Sequence, residues 1–180
     1  MTAAPTPPDL TLTRRRLLLA GLALGVITPA QATGYGLAVV DPAVDAAQVN
    51  ALLSTGALAR QTSLLALRSP NPDIRHFARS EIAEQRGMAR AVTGTPDPAI
   101  PLGRRGTAIL AEAQSLPPSL PADQLYVARQ IEGHQRLLAL ASTYARAGAD
   151  PDVAAVARGS IPLIRLHLSV LSTLNGALVG

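Results

Sequence analysis

The sequence has no cysteine, no tryptophan and no lysine, and it contains a single phenylalanine. The absence of cysteine excludes disulfide bonds, iron–sulfur ligation, cysteine-type zinc sites and a thiol nucleophile. Aromatic residues make up only 2% of the chain, so a nucleic-acid surface built on stacked rings is not expected. The chain is instead rich in apolar residues, at 48%, which excludes a wholly disordered protein.

The net charge of the chain beyond residue 32 is small. Residues 1–32 hold three of the 16 arginines and one of the 12 acidic residues, which leaves 13 arginines and 11 acids in the remainder. This excess of two positive charges is too weak and too dispersed for a phosphate-binding stripe, so no nucleic-acid partner is predicted. The length of the remainder is typical of one compact domain.

The amino terminus has the order of an export signal. Arginines at positions 14–16 precede an apolar run over residues 17–27, and a small-x-small cleavage site ends at Ala32. The apolar run would span only about 16 Å as a helix, about half of a hydrocarbon core, so no permanent membrane span is expected in the mature form. We predict a cleavable signal over residues 1–32 and a linker over residues 33–40.

The segment Thr13-Arg14-Arg15-Arg16-Leu17-Leu18 resembles the twin-arginine export signal, whose pathway transports folded proteins. The predicted partners during export are therefore the twin-arginine translocation machinery and signal peptidase, and the predicted location is periplasmic or secreted. An ordinary signal peptide with an additional arginine is the alternative. No lipidation cysteine follows the apolar run, which argues against a lipoprotein.

Proline after a side-chain acceptor marks helix starts in this chain. Such pairs are Asp41-Pro42, Asn71-Pro72 and Asp150-Pro151. Gly94 and Gly148 mark two helix ends. These signals predict helices over residues 42–68, 72–93 and 121–147 and a short helix over 104–115. A last helix is predicted to begin at 151, to break or kink at Gly159 and Pro162, and to continue over 161–174. No convincing strand alternation occurs, so the fold predicted for residues 41–176 is an all-α, up-down four-helix bundle with one long crossover.

Polar residues interrupt the apolar stripes of all four long helices. The inward positions predicted from spacing are Gln61, Glu81, Gln85, Tyr126, Gln130, His134 and His167. A buried polar group without a partner costs about 1–3 kcal/mol, so we expect these side chains to pair with one another or to hold a ligand.

Several segments resemble a known family. They are Leu65-Ala66-Leu67, Asn71-Pro72-Asp73-Ile74-Arg75-His76-Phe77-Ala78, Tyr126 with Gln130 and His134, and Ile161-Pro162-Leu163-Ile164-Arg165-Leu166-His167-Leu168. In their order and spacing they look like the ferritin-like family catalogued as domain of unknown function 4142. The resemblance implies a ferritin-like bundle, export from the cytoplasm, and a metal site supposed by analogy with ferritins.

The family's ligand pattern is only partly present. His134 and His167 match its histidines in the third and fourth long helices, whereas Gln85 and Gly133 stand where the family has a second-helix histidine and a third-helix acid. The first-helix acids are replaced by Ala59 and Gln61, the acids before Gln85 by Ala83 and Glu84, and the chain contains no Glu-x-x-His motif. A di-iron centre is therefore not expected, because its irons need several bridging carboxylates.

These residues support two functional hypotheses. The first is a non-catalytic binding or structural protein of the cell envelope, in which the inward polar side chains form a hydrogen-bond network that fixes helix register. The alternative is a metal-binding protein or metal-dependent oxidoreductase, with Glu81, His134 and His167 holding a single iron, zinc or manganese ion. A small-molecule pocket and self-association stay open. No catalytic residue is predicted, and His76 is expected to face solvent.

Overall fold

The computed structural model describes residues 41–180, and the predicted signal and linker lie outside these described residues. Five helices, and no strand, form in this part of the chain. They are α1 (Pro42–Ala66), α2 (Pro72–Thr93), α3 (Gly103–Ser115), α4 (Leu120–Ala147) and α5 (Pro151–Val179). The all-α prediction is confirmed for residues 41–180, and the predicted helix ends lie within two residues of the observed ones except at the end of α5.

Helix starts follow the capping chemistry. The side chains of Asp41, Asn71 and Asp150 each accept a hydrogen bond from a backbone N–H of the first helical turn. At the end of α2, Gly94 adopts φ 70°, a left-handed conformation that glycine reaches without a steric penalty. Caps therefore set the limits of the helices more than apolar periodicity does.

The predicted break at Gly159 and Pro162 is wrong. Helix α5 runs without interruption through both residues, from Pro151 to Val179. Both residues lie on the exposed face of the helix, where solvent can hydrate the backbone carbonyl that proline leaves without a donor. The opposite face packs along α4, so tertiary contact outweighs the local cost of proline.

The direction of each long helix follows from its contacts. Tyr144 near the end of α4 bonds Asp45 near the start of α1, whereas Tyr126 near the start of α4 bonds Ser63 near the end of α1. Helices α1 and α4 are thus antiparallel. Because short turns also make α1 and α2 antiparallel, α2 and α4 run in the same direction. The connection over residues 94–119 therefore returns along the bundle, with α3 packed against α1.

Two apolar clusters fill the interior, one at each end. The cluster near the α4–α5 turn includes Tyr144 and Leu137, and the cluster at the other end includes Ile74, Phe77 and Leu171. The buried polar residues Glu81, Gln130, His134 and His167 are members of neither cluster. Their helix positions place them between the two, so the interior has a polar layer across its middle.

Helix α5 has a second apolar surface. Among the described helices, it alone has the length and composition that crossing a membrane requires, a test that the core helix of a soluble protein also meets. Its inner face carries Ile164 and His167, while Leu166 and Val170 are exposed on the outside. The absence of a permanent membrane span in the mature form stays a prediction.

Replacing Gly148 by alanine tests the packing at the α4–α5 turn. A Cβ atom at this position would overlap the buried ring of Tyr144. We expect Gly148→Ala to lower the free energy of unfolding by about 1–3 kcal/mol, because the ring must shift in a packed core. Gly159→Ala is the matched control: it meets open space within a helix and should stabilise by about 0.5–1 kcal/mol. Urea denaturation measures both, and equal effects would contradict this packing.

Candidate metal centre

Three side chains from three helices meet in the polar layer. Glu81 comes from α2, His134 from α4 and His167 from α5. Glu81 Oε2 lies 3.3 Å from His134 Nε2 and 3.1 Å from His167 Nδ1, and these two nitrogens are 3.1 Å apart. The side chains of Glu81 and His134 are fully buried, and that of His167 is 8% exposed. The structure thus places one oxygen and two nitrogen donors at the corners of a small triangle.

The size of this triangle suits a metal ion. Ligand atoms about 2.0–2.1 Å from a tetrahedral metal stand about 3.3–3.4 Å apart, and at octahedral corners about 3.0 Å apart. The observed separations of 3.1–3.3 Å fall within these limits. Two imidazoles and one carboxylate are a donor set that zinc and ferrous iron both accept, with at least one coordination position left open.

His134 is held in one tautomer. Its Nδ1–H donates to the backbone carbonyl of Gln130, one helical turn earlier, over 2.8 Å. The other nitrogen, Nε2, then carries the lone pair of the neutral ring; it is hydrogen-bonded to His167 Nδ1 over 3.1 Å and also faces Glu81. Such a bond to the far nitrogen is the usual way in which proteins orient a metal-binding histidine.

The carboxylate of Glu81 is oriented by Gln85. The Gln85 amide donates to Glu81 Oε1 over 2.9 Å, which directs Oε2 toward the two imidazoles. A Cβ atom at Gly56 of α1 would overlap the Gln85 amide oxygen, so the amide reaches this position only because residue 56 is glycine. Oε2 is buried and, despite its close ring nitrogens, has no partner in hydrogen-bond geometry among the described residues. It is therefore an unsatisfied donor atom for a cation.

His167 has a second carboxylate on its other side. Glu84 Oε2 lies 3.0 Å from His167 Nε2, opposite the nitrogen that faces Glu81. Glu84 was not among the predicted site residues, although its place three residues after Glu81 puts both on one face of α2. A carboxylate behind a histidine is the arrangement that raises the basicity of metal-binding imidazoles.

Burial and charge shift the pKa values of this cluster in opposite directions. Burial alone raises the pKa of Glu81, but its interactions with the close rings of His134 and His167 outweigh burial and lower the pKa to about 2. Burial alone lowers the pKa of His167, but the carboxylates of Glu81 and Glu84 reverse this effect and raise it. The pKa of Glu84 is raised, chiefly by burial. Glu81 is therefore ionised in the folded protein.

A hydrogen-bond network joins the centre to α1. Gln130 donates from Nε2 to the Ala59 carbonyl and to Thr62 Oγ1, each over 3.0 Å, and Tyr126 bonds Ser63 Oγ over 2.8 Å. The predicted inward residues Tyr126, Gln130 and Gln85 therefore each form a hydrogen bond with a residue of α1 or with Glu81. Gln61 does not join them: it is half-buried and makes none of the side-chain hydrogen bonds found among residues 41–180.

Sequence reasoning missed Thr62 and Ser63, which take the inward place assigned to Gln61. The available signal was the series of small residues on α1 that includes Ala59 and Ala66, three or four positions from these two. Tight packing against α4 favours such small side chains, and a glutamine is too long for this face. His76 is exposed, in agreement with its expected place in solvent.

Comparison with known proteins gives one family. A sequence model described as a domain of unknown function (DUF4142) matches residues 30–174. No curated protein and no solved structure matches the chain.

Metal-free protein should show a stability optimum in mildly acidic solution. Glu81, with its lowered pKa, stabilises the fold above its usual value of 4.5, and this contribution is lost as pH falls toward about 2. His167, with its raised pKa, stabilises fully below 6.5, and this contribution is lost as pH rises through the raised value. Glu84, whose pKa is also raised, stabilises fully only below 4.5, so its smaller contribution begins to be lost at the acid end of this range. The cluster therefore contributes most between pH 4.5 and 6.5.

Urea denaturation of the metal-free chain at a series of pH values from about 2 to about 8 checks this profile, because this range covers the titrations of Glu81 and His167. Glu81→Gln should flatten the acid side because the buried carboxylate is gone. An unchanged acid limb in Glu81→Gln would show that the pKa of Glu81 is not depressed in the folded chain.

Proposed function

The chain belongs to the DUF4142 family, and we propose that it is a binding protein for a single divalent transition metal, held by Glu81, His134 and His167 between the helices of a ferritin-like bundle. The observation that carries the proposal is the buried Glu81 Oε2, which lies against two ring nitrogens without a hydrogen-bond partner among residues 41–180. Iron and zinc suit the two imidazoles and one carboxylate best, and manganese is the third candidate.

The surrounding side chains support a metal more than a plain hydrogen-bond network. A network needs only that donors and acceptors pair, whereas here Gln130 and Gln85 each form a hydrogen bond with the far side of one inward residue, and Glu84 lies 3.0 Å from the far nitrogen of His167. Their effect is to turn three donor atoms toward one point. The carboxylates are too few for a di-iron centre, because Glu84 is engaged with His167.

The ferritin-like arrangement is supported by topology. The second and third of the four long helices, α2 and α4, are joined by one long crossover, as in ferritin-type bundles, whose metal sites also lie between facing helices. Export through the twin-arginine pathway accords with this proposal, since that pathway transports folded proteins and would carry a metal already bound. The protein then acts in the periplasm or outside the cell.

Metal content tests the function. Protein purified from the periplasm should contain about one iron, zinc or manganese ion per chain, because the three proposed ligands together hold a single ion. His134→Ala should abolish this content, and Glu84→Gln should weaken affinity about 10–100-fold, since the Glu84 carboxylate faces the ligand His167 rather than the metal. His76→Ala, an exposed histidine on α2, is the control and should bind like the parent.

Elemental analysis gives the stoichiometry, and competition with a metal-binding dye gives the affinities. Two results would contradict the proposal: no bound metal after reconstitution of the metal-free chain, or equal losses in His76→Ala and His134→Ala. In either case the cluster of Glu81, His134 and His167 is a structural network of a non-catalytic envelope protein.

The export route has a separate test. Changing Arg14 and Arg15 together to lysine keeps the positive charge, so an ordinary signal peptide would still work, whereas twin-arginine transport needs both arginines. We expect the double variant to stay in the cytoplasm and Arg16→Lys, the matched control, to be exported. Cell fractionation measures both, and export of the double variant at the parent level would establish an ordinary signal.

A further inference from the structure

A cavity lies between α1, α3 and α4. Its volume is about 120 Å³, and its lining contains none of the three proposed metal ligands. Since an engineered apolar cavity of about 150 Å³ holds a benzene molecule, this cavity has room for about four or five carbon atoms. It is open to solvent, because Arg105 and Arg136 line it and are both exposed. A small organic molecule can therefore enter it without passing the metal centre.

The cavity depends on a glycine of α4. Arg129, Glu132, Gly133 and Arg136 line it, and their spacing puts them on one face of the helix. A Cβ atom at Gly133 would meet no other atom within 4 Å, so the middle of this face is open. Glycine weakens a helix interior relative to alanine, so helix stability does not account for this residue. The space that it leaves is part of the cavity.

The hydroxyl groups that line the cavity are already engaged. Those of Ser54, Thr55 and Thr62 each donate to a backbone carbonyl of α1. Leu58 of α1 and Ile109 of α3 add apolar surface beside them. The part of a ligand that lies here must therefore be apolar, because a buried polar group without a partner is costly.

Positive charge exceeds negative charge around the cavity. Its charged lining residues are three arginines and one acid, namely Arg105, Arg129, Arg136 and Glu132. Arg105 and Arg129 both pair with Glu132, and Arg129 also binds Glu112 over 2.9 Å. Arg136 forms no ion pair with any residue of the range 41–180, so one positive charge is left over even when Glu112 is counted.

The first turn of α3 adds to this positive field. The helix begins at Gly103 without a side-chain cap, so no side-chain acceptor bonds the N–H groups of its first turn. Arg105 and Gly106, at this end of α3, line the cavity. A carboxylate at the rim would therefore meet the positive end of the helix dipole in addition to the guanidinium of Arg136.

We propose that this cavity binds a small monocarboxylate with a compact apolar body of about four or five carbon atoms, whose carboxylate pairs with Arg136 and whose body lies against Leu58 and Ile109. One free guanidinium matches one negative charge, and its planar fork fits a carboxylate. A dianion would leave a second charge uncompensated beside Glu132. The site needs no metal, so it goes beyond the proposed metal-binding function and does not depend on it.

Titration of the metal-free chain with isovalerate tests the proposal, because without metal the carboxylate can bind only to protein groups. In a two-dimensional proton–nitrogen NMR spectrum, the amide signals of Gly106 and Gly133 should shift saturably, with a dissociation constant of about 1 mM or below. Isovaleramide has the same shape without the charge and should bind about tenfold more weakly. The absence of a saturable shift, or equal binding of the two compounds, would overturn the proposal.

Two glycine variants locate the ligand. Gly133→Leu should fill the cavity and weaken isovalerate binding about tenfold or more, with the Gly106 signal as the readout. Gly87→Leu, exposed on α2 where a Cβ atom also meets open space, should bind like the parent. Leucine is the better helix former, so thermal unfolding should find both variants at least as stable as the parent. Equal isovalerate affinity in the two variants would contradict binding in this cavity.

The role of the free guanidinium is tested at the surface, where folding is not at risk. Arg136→Gln should weaken isovalerate binding about tenfold and leave isovaleramide binding unchanged, because only the charged compound pairs with the guanidinium. Arg104→Gln removes an exposed charge of α3 that lies outside the lining, and it should bind isovalerate like the parent. Equal losses in the two arginine variants would show that no specific pair with Arg136 forms.

Discussion

The burial of the Glu81 carboxylate is the constraint on which the structure depends. An ionised carboxylate without water or a counter-charge is too costly to keep in a protein interior, so α2 can pack only where positive or donor groups meet it. The rings of His134 and His167, from two other helices, lie 3.3 and 3.1 Å from this carboxylate. The relative register of α2, α4 and α5 is therefore tied to this one contact, while the apolar clusters above and below allow many similar packings.

The connectivity of the bundle makes this layer asymmetric. Because the long crossover lets α2 and α4 run in parallel, residues that follow Glu81 and His134 along the chain lie on the same side of the triangle. On that side Gly56 leaves room for the Gln85 amide, and a cavity lined by Gln85 and Leu137 begins about one helical turn from the triangle. The other side receives Phe77, whose ring packs on both imidazoles. The different surroundings of the two sides of the triangle follow from the direction of the helices.

Features that depend on neighbouring residues could be predicted from the sequence, whereas features that depend on tertiary packing could not. Helix starts could be predicted from Asp41, Asn71 and Asp150 because a cap depends only on neighbouring residues. The continuity of α5 through Pro162 could not, since packing along α4 decides it. Spacing indicated Glu81, His134 and His167 as inward residues. It misplaced Gln61, because the buried face of α1 is made of small side chains and begins one residue further along the chain. Glu84 was missed because a half-exposed acid looks like any solvated charge until its partner on α5 is known.

Anomalous diffraction from crystals of the metal-loaded protein, measured at the absorption edge of the metal, tests the central claim most directly. The account predicts a single strong peak about 2.0–2.2 Å from Glu81 Oε2, His134 Nε2 and His167 Nδ1, with the far atoms of these side chains still bonded to their present partners. A peak at any other place in the bundle, or an ordered Glu81 carboxylate hydrogen-bonded to both imidazoles with no metal peak in protein soaked with excess metal, would contradict it.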